Sequence, residues 1–256
     1  MDEIHYLLGN SCDLNCDFCF WDMRVPDIPL SQKKRIIDEI KKTRIRRLTI
    51  SGGEPTCNRN FLEILEYCHK NGLEIVLHTH GLRIDKNVAQ KLKPLVSRIS
   101  LALDGSNEEM NYKMRKSKKM LPHTLFLIDL LDSFGIAVNV KTLVTKVNKD
   151  DIINIGKLLL NKPIQYWSLL EFNPINRGLT NRSKFFLSRK EFEAVVKTIS
   201  DTFPNLPVKV RRFRSKPQRY CFIAPNGQVY TYIPGKGDVL VGDLFKGNLI
   251  SILKSI

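Results

Sequence analysis

Apolar runs and helical stretches alternate through the first two thirds of the chain. IHYLLG (4–9) is a short strand-like run, and LSQKKRIIDEIKK (30–42) sets Leu30, Ile36, Ile37 and Ile40 at helical spacing, with Ser31 as the expected cap. RRLTISGG (46–53) is a strand that enters a glycine turn. The alternation continues with a helix at 60–70, a strand at 74–81, a short helix at 86–95 and a strand at 98–105. A helix at 121–135, a strand at 137–144, a helix at 150–161 and a sixth strand at 164–172 complete the series. Strands alternating with helices predict βαβ units, right-handed crossovers and a parallel sheet. Six such units predict an α/β fold, either an incomplete barrel or a strongly curved open sheet.

The texture changes after residue 173. NPINRGLTNRSKFF reads as a basic loop, SRKEFEAVVKTISDTF as a helix and PVKVRRFRSKPQRY as a basic edge strand. Asn226-Gly227 lies between two β-rich runs and predicts a hairpin. The expected organisation is a core over 1–173 and a small C-terminal α+β extension over 174–256, with a helix and a β-hairpin.

At 256 residues, 43% hydrophobic and 26% charged, the composition is that of a globular protein. No apolar run approaches the roughly 20 residues that a membrane span needs, and the cytoplasm is the expected location. The formal charge of +15 makes anionic partners such as phosphate-bearing molecules an expectation, beside the plainer reading of a solvated lysine-rich surface.

The cysteines bring in chemistry. Of six, Cys12, Cys16 and Cys19 fall in SCDLNCDFCF, just past the first strand, at the edge where parallel α/β sheets place ligands. Three soft thiolates in that spacing suit an iron–sulfur cluster with one open iron, or a zinc site completed by His78, His80 or Cys57. Cys57, Cys68 and Cys221 are scattered and read as packing residues. The second strand ends in Ser51-Gly52-Gly53-Glu54-Pro55, where two glycines allow close backbone approach and a carboxylate follows.

CxxxCxxC with an aromatic residue, Phe18, before its last cysteine, followed on the second strand by SGGEP, resembles the signature of radical S-adenosylmethionine enzymes. The resemblance spans about residues 4 to 173 and implies a partial (β/α)6 TIM-like barrel. It implies that Cys12, Cys16 and Cys19 hold one 4Fe-4S cluster, whose open iron is completed by S-adenosylmethionine. The activity implied is reductive cleavage of that cofactor to a 5'-deoxyadenosyl radical, which abstracts hydrogen from a substrate.

Carried over residue by residue, Gly52, Gly53 and Glu54 would receive the methionine amino group, with Thr79 and Gly81 near the cofactor. Asp104 falls where the family has an SxD pattern, although Ala102 stands in place of its serine and Ser100 lies four residues before the aspartate. Lys141 and Phe172 fall where relatives contact the cofactor, and Arg115 and Arg211 are substrate candidates. The run around Phe18 to Phe20 is similar to viperin-like members that act on nucleotides, and the C-terminal hairpin to peptide-modifying members. Cys221 alone would hold no auxiliary cluster in the extension. The implied partners are a small electron donor such as flavodoxin or ferredoxin, and a nucleotide, RNA or ribosomally made peptide as substrate. A non-catalytic, metal-stabilised, anion-binding module is the competing class, but it leaves SGGEP without a role.

Overall fold

The computed structural model describes residues 2–21, 25–213, 221–233 and 237–255. Its elements follow in chain order: β1 (Glu3–Leu7), α1 (Leu30–Lys41), β2 (Arg47–Ser51), α2 (Phe61–Lys70), β3 (Glu74–Thr79), α3 (Lys86–Leu92) and β4 (Arg98–Ala102). Next come α4 (Glu108–Arg115), α5 (Met120–Ser133), β5 (Ala137–Val144), α6 (Ile152–Leu159) and β6 (Tyr166–Glu171). The remainder comprises α7 (Arg177–Thr180), α8 (Arg182–Phe185), α9 (Arg189–Thr202), β7 (Val208–Arg211), β8 (Cys221–Ile223), β9 (Gln228–Ile233), β10 (Gly237–Asp243) and α10 (Leu249–Lys254).

The strands form one sheet in the order β10-β9-β8-β1-β2-β3-β4-β5-β6-β7, parallel from β8 through β7, with β9 and β10 antiparallel at one edge. The expected six βα units supply the contiguous centre, β1 to β6. The C-terminal residues extend the same sheet at both edges, since β7 joins β6 and β8 joins β1. Phe213, just after β7, meets Tyr232 of β9 with ring centroids 5.5 Å apart, so the two ends of the curved sheet approach each other. The fold is a partial TIM-like barrel, in which no strand pairing joins β7 to β10 among the described residues.

Strand alternation divides the sheet's residues into two sets. One set, including Ile4, Tyr6, Leu48, Ile50, Ile75, Leu77, Ile99, Leu101, Val138, Val140, Trp167 and Leu169, is buried under the helices in the main core. The helices contribute the apolar stripes read from sequence: Ile36, Ile37 and Ile40 of α1, and Phe61, Ile64, Leu65 and Cys68 of α2. The other set lines the lumen and is far more polar.

Three local expectations are corrected. Pro29, not Ser31, occupies the cap of α1, because its extended backbone (ψ 156°) stops the helix and Ser31 is already inside it. Between the strand expected at 98–105 and the helix expected at 121–135, where no element was expected, α4 forms, capped by the Asn107 side chain accepting from Met110 N at 2.9 Å. The basic stretch after residue 173 contains α7 and α8. The hairpin at Asn226-Gly227 forms as expected, with Gly227 at φ 82°. Of the basic strip after Pro207, Lys209 and Arg211 lie on β7, while Arg214, Lys216 and Arg219 lie outside the described residues. Among the described residues no helix is long and apolar enough to cross a membrane.

Candidate functional site

The C-terminal ends of β1 and β2 are joined through their loops. Gly53 N donates to Gly9 O (2.9 Å) and Glu54 N to Ser11 O (2.8 Å), so the cysteine loop is laid against the GGE turn. This contact requires glycine: a Cβ on Gly53 would stand 2.4 Å from Ser11 O and 2.6 Å from Asn10 O, and Gly52 has φ 129°. Backbone on both sides leaves nothing flexible to yield.

Glu54 then joins β2 to β3. Its carboxylate, 3% exposed, accepts from Thr79 Oγ1 (2.5 Å), His80 N (2.9 Å), Thr56 N (3.2 Å) and Thr56 Oγ1 (2.7 Å). Thr79 Oγ1 in turn accepts from Gly81 N at 2.9 Å. The Glu54 side chain is thus engaged by the protein itself, and the backbone of the turn is what faces the cysteine loop. His80 Nε2 lies 2.7 Å from Asp13 Oδ1, and Arg83 Nε donates to Asp13 Oδ2 at 2.9 Å, which fixes the loop from the β3 side.

The far side of the loop is held by α4. Arg115 bonds Asp104 Oδ2, its guanidinium stacks 4.9 Å from the Phe18 ring centroid, and its Nη1 lies 4.0 Å from Cys16 Sγ. Asp104 is fully buried and also accepts from Leu143 N at 2.7 Å, so it braces β4 against β5. Phe172 packs with Cys16, Phe18, Met114 and Phe185 in one apolar cluster under the loop. Sequence reasoning missed a third contact, from α7 and α8. Arg177 bonds Asn15 Oδ1 and reaches Cys16 O (3.4 Å), Asn181 Nδ2 donates to Asp17 O (3.1 Å), and Lys184 Nζ pairs with Asp17 (2.8 Å). The signal was the density of basic and amide side chains immediately after the sixth strand.

The donor set permits a test of the implied cluster. Burial pushes the Cys16 and Cys19 thiols up, while the Arg115 and Arg177 charges oppose it, so a bound metal must displace protons and two cations stand ready to offset thiolate charge. Three thiolates on a single zinc would sit about 3.8 Å apart. Among the described residues, the trio of donors within 4.8 Å of one another is Cys12, Asp13 and His80. The three thiols are therefore spread more widely than one ion requires, which fits separate irons of a multi-iron cluster. Of the alternative zinc ligands, His80 approaches Cys12, whereas His78 faces the lumen. Cys57 departs from the packing expectation: it is half-buried beside Asp13 and Arg83, because the turn after Glu54 passes the loop instead of entering the core. Cys68 and Cys221 are buried as expected.

Beneath this rim the lumen carries His5, Thr49, His78, Arg98, Ser100, Asn139, Lys141, Tyr166, Ser168, Lys209 and Arg211, placed there by register and alternation. Lys141 Nζ lies 2.7 Å from His78 Nε2, reaching back across β4 into the lumen. Burial pulls Lys141 down to about 7, with Glu3 opposing and Arg211 and Arg98 adding to it. His78 is held well below its ordinary value by burial, then by Lys141, His5 and Arg98. Thr79, Gly81, Gly52, Gly53, Glu54 and Asp104 thus gather at the rim, Lys141 and Arg211 face the lumen, and Arg115 belongs to the support of the cysteine loop.

The family model described as Radical SAM superfamily matches residues 6–159. The chain is 22% identical over 247 residues to an S-adenosylmethionine-dependent nucleotide dehydratase of Lacinutrix mariniflava, covering 91% of this chain and 51% of that protein. Streptococcus suis SuiB bound to S-adenosylmethionine shares the fold, with a TM-score of 0.80 at 16% identity over 98% of this chain and 65% of SuiB. SuiB bound to its precursor peptide SuiA gives a TM-score of 0.78 at 17% identity, over 98% of this chain and 64% of SuiB. The chain thus spans about half the length of the dehydratase.

Proposed function

This chain belongs to the radical SAM superfamily, and from that premise we propose that it is an enzyme whose Cys12, Cys16 and Cys19 hold one 4Fe-4S cluster beside a seat for S-adenosylmethionine. When bound, that pair supplies reductive cleavage to a 5'-deoxyadenosyl radical, which takes hydrogen from a substrate. The single observation that carries the reading is the docking of the cysteine loop onto the GGE turn, through Gly53 N to Gly9 O and Glu54 N to Ser11 O.

The chain's own residues then have distinct tasks. The backbone of Gly52 and Gly53 presents polar groups to the methionine end of the cofactor, and Glu54 positions that turn by tying it to Thr79 and His80. Thr79 and Gly81 shape the wall at the end of β3. Asp104 and Arg115 hold Phe18 and Cys16 in place, and Phe172 keeps water from the underside of the loop. Residues 1–173 form the catalytic core in this reading, and 174–256 complete its wall without an auxiliary cluster.

The substrate in this reading is a nucleotide or another phosphate-bearing molecule. The +15 charge and the nucleotide-acting Lacinutrix relative support it. A peptide is the second reading, supported by the peptide-bound SuiB fold, whose likeness covers 98% of this chain and so includes the C-terminal strands. A small electron donor such as flavodoxin or ferredoxin would suit the basic surface, and the cytoplasm is the location that goes with this reading.

Anaerobic reconstitution with iron and sulfide, followed by reduction and electron paramagnetic resonance, tests the proposal. A cluster signal altered by S-adenosylmethionine, with 5'-deoxyadenosine formed, is expected. Zinc in place of iron, or a cluster signal indifferent to the cofactor, overturns it.

A further inference from the structure

The lumen below the rim carries an excess of cations with defined neighbours. From β4, Arg98 Nε lies 3.0 Å from the Asn139 amide oxygen, which also accepts from Tyr166 Oη at 2.7 Å once that amide is oriented to satisfy both. From β7, Lys209 Nζ stands 3.6 Å from the Tyr166 ring centroid. From β5, Lys141 meets His78, whose ring lies edge-on to His5 at 5.8 Å. Arg211, next but one to Lys209 on the same face of β7, acts on Lys141 through its charge.

Among the described residues, register and alternation put Glu3, Glu74, Asp104, Asp238 and Asp243 on this face; Asp104 is taken by Arg115, and Asp243 accepts from Phe245 N at 2.8 Å. Glu3 is taken by Thr49 and His5, Glu74 by Arg47 and Ser97, and Asp238 lies on β10 at the sheet's outer edge. Among the described residues, none of Arg98, Lys141, Lys209 and Arg211 has a carboxylate within ion-pair distance. Arg98 and Lys141 are half-buried and Lys209 and Arg211 exposed, and Glu3 acts on Lys141 only from a distance. Cations grouped with no carboxylate in contact raise each other's cost, and an anion of several charges lowers it for all of them. A single carboxylate would offset one of these four groups, whereas a di- or triphosphate carries enough charge and acceptor oxygens for the set.

We propose that the lumen is a phosphate-binding well for the substrate, with Lys141, His78 and Arg98 in its depth and Lys209 and Arg211 at its open edge. Its role as a substrate site rests on the radical SAM reading, but the binding itself does not. Lys141, expected from the family resemblance to touch the cofactor, serves the substrate here, and Arg211 keeps the substrate role expected of it.

The test uses the full chain free of cluster, titrated calorimetrically with inorganic tripolyphosphate, and with glutarate and an acidic peptide as competing anion classes. Saturable tripolyphosphate binding is expected, weakened about tenfold or more in Lys141→Met and in Arg98→Met and unchanged in Lys93→Met on the exposed end of α3. Because either lumen variant could misfold, the wild-type protein is also treated with acetic anhydride. Tripolyphosphate must slow acetylation of Lys141 and not of Lys93. Equal loss in Lys93→Met, equal protection of both lysines, no saturable binding, or glutarate or peptide binding as tightly as tripolyphosphate overturns the well. Since no cluster is present, tripolyphosphate binding with no 5'-deoxyadenosine in the loaded enzyme would sink the radical reading alone, and the converse would sink the well alone.

Discussion

Thr79 Oγ1 donates to Glu54 Oε1 across 2.5 Å, and this one bond joins the ends of two neighbouring strands beneath the cysteine loop. The same carboxylate collects His80 N and both polar atoms of Thr56, so its removal leaves several buried donors without an acceptor. Glu54→Ala is expected to cost about 2–4 kcal/mol of stability, read from urea unfolding of the cluster-free protein. Glu54→Gln keeps the shape but turns an NH2 toward a donor, and should cost about 1–2 kcal/mol. An alanine variant that unfolds at the wild-type urea concentration would show that the strand ends are held by something else.

Gly53→Ala should be disruptive for a different reason. The added Cβ meets the carbonyls of Ser11 and Asn10 at 2.4 Å and 2.6 Å, and neither can swing aside without moving the cysteine loop. The expected cost is about 1–3 kcal/mol, with a lower iron content per chain after reconstitution. Gly247→Ala is the matched control, because the nearest heavy atom to its Cβ is 3.8 Å away. Similar iron content in both variants would contradict the cradle.

What the sequence made legible, and what it hid, follows from range. The six βα units could be read because apolar residues recur at fixed periods, and Cys12, Cys16, Cys19 and the GGE turn because their spacing is local. The polar helices escaped that reading: α7 and α8 are single turns, and α4 carries only Met110 and Met114 as an apolar pair, with Asn107 followed by Glu108 and Glu109 as its start signal. The lumen was hidden for another reason. Lys141 and His78 lie on strands separated by β4, and only the curvature of the sheet brings their nitrogens to 2.7 Å. Likewise, Glu54 could be placed at the rim from sequence, but its partners Thr79 and His80 are 25 and 26 residues away.

The α7–α8 contact predicts an electrostatic effect on the cluster. Arg177 reaches Cys16 O and Asn15, and its charge acts on the Cys16 and Cys19 thiols. A cation there favours the more negative, reduced state, so Arg177→Ala should lower the midpoint potential of the reconstituted cluster and speed iron loss to a chelator. Lys184→Ala should do little, because its pair with Asp17 is solvent-exposed, with side chains 42% and 30% accessible. An unchanged potential in Arg177→Ala, measured by redox titration, would limit the contact to mechanical support.

Lys141 carries the last prediction, a pH dependence with a definite sign. Its folded value, about 7, lies below the 10.5 of an unperturbed lysine because burial disfavours its charge. Between those values the unfolded chain binds the proton and the folded chain does not, so this group makes stability rise with pH. Below about pH 7 both states are protonated and the penalty is fully felt. The buried thiols act in the opposite sense: burial pushes Cys68 and Cys221 up to about 12 from 9.0, so their contribution is present below 9.0 and is lost as pH rises toward 12. The clean window therefore runs from about pH 7 to about pH 8.5, ahead of the thiols. Across it, Lys141→Met should flatten the rise by about 1 kcal/mol, the partial access of the lumen to solvent keeping the effect small. Urea unfolding of the cluster-free wild type and variant at several pH values measures the difference. Parallel curves would mean that the lysine keeps its proton throughout, and that its nitrogen donates to a neutral His78 rather than sharing the lumen as an amine.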